Sequence, residues 1–75
     1  MIKFSGKKLK ELREQQGLTV RQLSYETSID RTSISRYEND QRTPSIEVVG
    51  RFAEYFDCPF ETFLEKIEDE QKKRR

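Results

Sequence analysis

The sequence contains no histidine and no tryptophan, one cysteine (Cys58), two prolines and three glycines. A single cysteine excludes a disulfide within the chain, and without histidine a His/Cys metal site lacks its usual ligands. One unpartnered thiol suits a reducing cytoplasm. No glycine-rich phosphate loop occurs and no carboxylate pair stands beside a nucleophile, so enzyme chemistry has no constellation to use and no cofactor is expected. Long apolar runs are also missing. MIKFSGKKLK is positive but has no apolar stretch behind it, unlike a secretory leader, and nothing is long enough to span a bilayer. The expectation is a soluble, cytoplasmic protein with no membrane partner.

What is present is charge, unevenly placed. Seventy-five residues predict one small domain, 1–75, near the lower end of what a single core stabilises. The net charge is only +1. Residues 1–42, however, carry nine basic groups against six acidic ones, whereas residues 43–75 carry six against eight. A positive field on the first half is the electrostatic footprint that phosphate recognition needs.

The apolar periodicity is helical throughout, predicting an all-α chain of five helices. KKLKELREQQ, with Leu9 and Leu12 three apart, forms the first helix after Ser5-Gly6, and Gly17 stops it. Thr19 caps a second helix over Val20 to Thr27, and Asp30 caps a third over Arg31 to Asn39. Pro44 ends any continuation, and Ser45 caps a fourth helix whose stripe is Ile46, Val49, Phe52, Ala53 and Phe56. Asp57-Cys58-Pro59 breaks it. Phe60, Phe63, Leu64 and Ile67 predict a fifth helix, which is core or dimer contact, followed by a flexible tail over 68–75. Tyr37, Tyr55 and the phenylalanines follow the same periodicity and read as core, and Cys58 as a small filler.

Residues 20–39 read as two short helices joined by a tight corner. Leu23 and Thr27 face inward, Ile29 plugs the corner, and Ile34, Tyr37 and Glu38 hold the second helix. Thr32, Ser33, Arg36 and Asn39 then project outward, offering hydroxyls and a guanidinium to a DNA major groove. Phosphate contacts are expected at the motif's edges, from Thr19, Arg21, Asn39, Gln41, Arg42 and Thr43.

The segments LKELREQQGLT, RQLSYETSIDRTSISRYEN and RTPSIEVVGRFAEYFDCPFETFL together resemble the helix-turn-helix domains of the lambda Cro/cI repressors and the xenobiotic-response-element regulators. The resemblance covers residues 6–64. It implies five helices and sequence-specific double-stranded DNA binding, usually by a homodimer on a palindromic operator. It also implies that Arg31, Thr32, Ser33 and Arg36 face base edges, and that Arg13 pairs with Glu38 to fix the recognition helix. This chain departs from the pattern at several positions. Val20 replaces a phosphate-touching glutamine, and Ser24 replaces a small alanine. Ser28 and Asp40 stand where turn and loop glycines are usual, and each must turn left-handed at a cost of about 1 kcal/mol. Asp30 brings a negative charge to a place that is commonly serine or threonine.

The leading functional expectation is therefore a DNA-binding transcriptional regulator, a repressor. The competing one is an interaction module of antitoxin or anti-repressor type that uses the same fold to hold a protein partner.

Overall fold

Serine, threonine and aspartate side chains decide where the helices begin. The computed structural model describes residues 2–66. It contains helices α1 (Gly6–Gln15), α2 (Val20–Thr27), α3 (Arg31–Glu38) and α4 (Ile46–Phe56). Each starts behind a residue whose oxygen accepts the N–H three positions on: Ser5 from Lys8 at 3.2 Å, Thr19 from Gln22 at 3.0 Å, Asp30 from Ser33 at 3.0 Å and Ser45 from Val48 at 3.3 Å. Each hydroxyl cap contributes about 1 kcal/mol. At Thr19 the arrangement is reciprocal, because its own N–H donates to Gln22 Oε1 at 2.8 Å.

Left-handed residues end the helices. Gly17 (φ 69°) follows α1, Ser28 (φ 63°) closes α2 and Asp40 (φ 58°) follows α3, the last two as the family resemblance implies. Asp57 (φ 55°) does the same for α4 and was not foreseen. Asp tolerates this conformation better than most residues, since its short side chain hydrogen-bonds locally.

The core lies between α4 and the other three helices. It comprises Phe4, Leu9, Leu23, Ile29, Ile34, Tyr37, Val49, Phe52, Ala53, Phe56 and Phe63, with Tyr55, Cys58 and Phe60 packed against it. Phe63 is fully buried, its ring 6.0 Å from Phe4, 6.2 Å from Phe52 and 6.4 Å from Phe56. Tyr37 of α3 meets Phe52 edge-on at 6.2 Å, so the aromatic cluster fixes the inner face of that helix.

The expected fifth helix is not there. Phe60–Phe63 forms one 3-10 turn, and Leu64–Lys66 is a strand, β2, antiparallel to β1 (Ile2–Phe4). The register pairs Ile2 with Lys66, Lys3 with Glu65 and Phe4 with Leu64. The described residues are mostly helical, with four α-helices and a two-stranded sheet. The reason is a competing hydrogen bond: the Ser5 N–H donates to the Phe63 carbonyl at 2.7 Å, occupying the oxygen that a continuing helix would use. Ile67 and the tail 68–75 lie outside the described residues.

One position of the α4 stripe also differs from expectation. Ile46 is 79% exposed, whereas Val49, Phe52, Ala53 and Phe56 are buried. It is the first residue of α4, and because side chains tilt toward a helix's N-terminus, Ile46 leans past the packed body.

Candidate nucleic-acid interface

The two-helix unit is rigid for local reasons. Leu23 and Thr27 point inward from α2, and the buried Thr27 hydroxyl is satisfied by donating to Leu23 O at 2.8 Å. Ser28 donates its N–H to Ser24 O at 2.9 Å, and Ile29, 7% exposed, fills the corner. From α4, Arg51 reaches Thr27 O at 3.4 Å. Ile34 and Tyr37 then bury the inner side of α3.

The opposite side of α3 is free. Arg31, Thr32, Ser35 and Arg36 are exposed and line one shallow groove together with Val20 at the start of α2 and Gln41 beyond α3. Three of the four expected base-facing residues thus come together, with one residue from the expected phosphate set. Ser35 and Val20 complete the wall. Thr19 and Arg21 border a second shallow depression on α2, beside Leu18, Gln22, Tyr25 and Glu26. Tyr25 is 85% exposed. Its position was legible, since two residues beyond the inward Leu23 is the far side of a helix.

Ser33 is the exception, and its outward placement is corrected. It is buried, its N–H donating to Asp30 Oδ2 at 3.0 Å and its hydroxyl to Asp30 Oδ1 at 2.9 Å. Ile34 and Tyr37 together define the inward direction, which swings the buried sector toward Ser33. Asp30 is accordingly turned onto its own helix. Its carboxyl lies below the ordinary range, chiefly because the Ser33 N–H holds the charged form. The Ser33 hydroxyl and nearby positive Arg42 add to this.

Asn39, Gln41, Arg42 and Thr43 are all exposed around the end of α3. Asn39 partly spends its amide on Ser35 O, at 2.9 Å. Thr19 Oγ1 accepts from Gln22 but keeps its own proton to donate.

The end of α3 is clamped to α1. Arg13 Nε and Nη2 donate to Glu38 Oε2 at 2.7 Å and Oε1 at 3.1 Å, and Nη1 donates to Leu18 O at 2.7 Å. The side chains are 11% and 6% exposed. Hydrogen bonding to Glu38 raises the Arg13 pKa against the opposing effect of burial, so the guanidinium stays charged. A forked, nearly dry pair of this kind fixes an angle more than it adds net stability.

Among the described residues, no helix is long and apolar enough to cross a membrane, and no group of three or more His, Cys, Asp or Glu could hold a metal.

Comparison with known proteins agrees with this geometry. The sequence pattern of the helix-turn-helix domain matches residues 6–71. A Pyrococcus horikoshii protein named "Putative HTH-type transcriptional regulatory protein PH1808" is 41% identical over 58 residues, 77% of this chain and 18% of that protein. A similarly named protein of Methanocaldococcus jannaschii is 33% identical over 72 residues, 92% of this chain and 23% of its own length. The chain therefore spans about a fifth of these relatives. The restriction-modification controller protein C.AhdI from Aeromonas hydrophila superimposes with a TM-score of 0.73 at 28% identity, over 77% of this chain and 88% of that one. An HTH_3 family transcriptional regulator from Vibrio cholerae shares the fold, with a TM-score of 0.71 at 22% identity over 77% of this chain and 33% of that one. The matched span takes in all four helices described above, and the chain belongs to the helix-turn-helix domain family, in its Cro/cI-like xenobiotic-response-element branch.

Proposed function

We propose that this chain is the DNA-reading part of a transcriptional regulator, with α3 entering the major groove. The observation that carries the reading is the groove on the outer side of α3, where two arginines and a threonine converge while the inner side is locked by Ile34 and Tyr37. Arg31 and Arg36 each present parallel donors suited to guanine O6 and N7, and Thr32 offers a methyl for thymine and a hydroxyl for a base edge. Ser33 leaves the base-reading set because both its polar groups serve Asp30. Ser35 lines the groove as a short polar neighbour. Arg21, Gln41, Arg42 and Thr43 flank the groove as phosphate contacts, with the free protons of Thr19 and Asn39 adding to the grip. The turned-in carboxylate of Asp30 limits its repulsion of the DNA backbone.

In this reading the regulator represses as a homodimer, with two half-sites about 34 Å apart on a palindromic operator. Selection of bound sites from random duplexes tests it. The expected outcome is a two-fold repeated site with guanines opposite Arg31 and Arg36, bound with strong salt dependence. No enrichment, together with no salt-dependent binding, refutes it. A protein-binding module is the competing reading, favoured by the exposed side chains of Tyr25 and Ile46. A retained protein partner in the absence of DNA binding would decide for that alternative.

A further inference from the structure

The turn that follows α3 is tied to the start of α1 by one side chain. Asp40 stands in a left-handed conformation, φ 58°, immediately beyond the helix. Its N–H donates to Tyr37 O at 3.2 Å, and the Gln41 N–H donates to Arg36 O at 2.8 Å, the paired bonds of a closed helix terminus. Its carboxylate then leaves the turn. Asp40 Oδ1 accepts the N–H of Gly6, thirty-four residues away, at 3.2 Å.

Gly6 is the first residue of α1, so this N–H is one of the unpaired donors at a helix start. The two backbones meet closely there. A methyl group at Gly6 would collide with Tyr37 O and lie 2.8 Å from Glu38 O and 2.9 Å from Asp40 Oδ1. The positive end of α1 therefore faces the carbonyl-rich end of α3, and the Asp40 carboxylate bridges them. Gln41, Arg42 and Thr43 follow directly on the chain, and Gln41 lines the groove beside Arg36.

We propose that Asp40 is a positioning residue for DNA binding, fixing the 41–43 segment at the edge of the recognition groove by anchoring its turn to the Gly6 N–H. The proposal rests on the DNA-binding reading above, and it assigns a use to a side chain that a glycine at this place would not supply. Asp40 touches no base. It acts through the backbone position of Gln41, Arg42 and Thr43.

The test compares Asp40→Gly with Asp40→Asn. Glycine keeps the left-handed turn without strain and removes only the tether, whereas asparagine tolerates the turn and keeps an oxygen for the Gly6 N–H. Three measurements are made on each chain. Amide exchange at Gln41, Arg42 and Thr43 in the free protein is expected to rise about fivefold in the glycine variant and return toward wild type with asparagine. Affinity for the selected duplex is expected to fall about fivefold in the glycine variant, its salt slope shallower by about one phosphate contact, with asparagine restoring both. The melting temperature of the glycine variant should stay within about 4 °C of wild type, because the lost bond and the relieved turn offset each other.

Wild-type exchange and salt slope in the glycine variant would overturn the tether. Equal tightening of DNA binding by both substitutions would also overturn it, because the carboxylate would then act only as a repulsive charge. If the wild-type chain binds no duplex, the DNA reading fails, and the exchange measurement still decides whether the carboxylate holds the turn.

Discussion

The two ends of α3 are held by contacts of different range. At the start, Asp30 serves the N–H and hydroxyl of Ser33, three residues on. At the finish, Glu38 is gripped by Arg13 and Asp40 takes the Gly6 N–H, contacts spanning 25 and 34 residues. The first end forms with the helix itself. The second depends on α1 already being docked, so the helix's angle is set from the C-terminal side. The orientation of α3 thus rests on a neighbour that presents nothing to the groove.

The sharpest way to break this contrast is at the far end. Glu38→Ala strands the Arg13 charge in a nearly dry site and should lower unfolding free energy by about 3 kcal/mol, with specific DNA binding falling in parallel. Urea melts and duplex titrations check both, and an unchanged midpoint would show that the clamp is ornamental. Gly6→Ala attacks the same end by crowding. It forces α1 away from the carbonyl oxygens of Tyr37 and Glu38 and should cost about 2 kcal/mol in the same melts.

Substitutions on the free face should behave oppositely. Arg36→Ala, and separately Arg31→Ala, should each weaken specific binding by about 1.5 kcal/mol while leaving the melting temperature alone and nonspecific binding less affected. Equal losses on specific and random duplexes would remove base reading from these residues.

The smallest effect belongs to the near end. Asp30 is more acidic in the folded chain, chiefly through the Ser33 N–H. A carboxyl with a lowered folded pKa stabilises at pH values above its ordinary range, and that contribution disappears as pH falls through the folded value. Thermal melts from neutral pH downward should therefore show a decline beginning below the ordinary aspartate value of about 3.9, and Asp30→Asn should flatten it. Identical acid slopes in the two proteins would dissociate the cap from acid sensitivity.

The same difference in range explains what could be read from the chain. Thr19, Asp30 and Ser45 were recognisable as caps because each acts within a few residues, whereas Ser28 and Asp40 were readable as left-handed only through the family resemblance. Ser33 departs from its expected outward place because Ile34 and Tyr37 together set the inward direction and bring Ser33 into the buried sector. The β1–β2 pair was illegible, since a three-residue strand carries little more than one period of alternation. Phe60, Phe63 and Leu64 kept helical spacing right up to the point where Ser5, far away in sequence, captured the Phe63 carbonyl. In the candidate groove, Thr32 and Arg36 were readable from helical periodicity and Arg31 through the family resemblance. The Gly6–Asp40 tether was not, because no local pattern announces a contact across 34 positions.

The pairing of Ile2 with Lys66 makes the domain a nearly closed circuit. Strand neighbours lie about 4.8 Å apart, so the incoming and outgoing chain run side by side. A cassette running from Ile2 to Lys66 can be spliced into a larger polypeptide through one narrow doorway, and permuting it at a surface turn would ask only for a short bridge between those two residues.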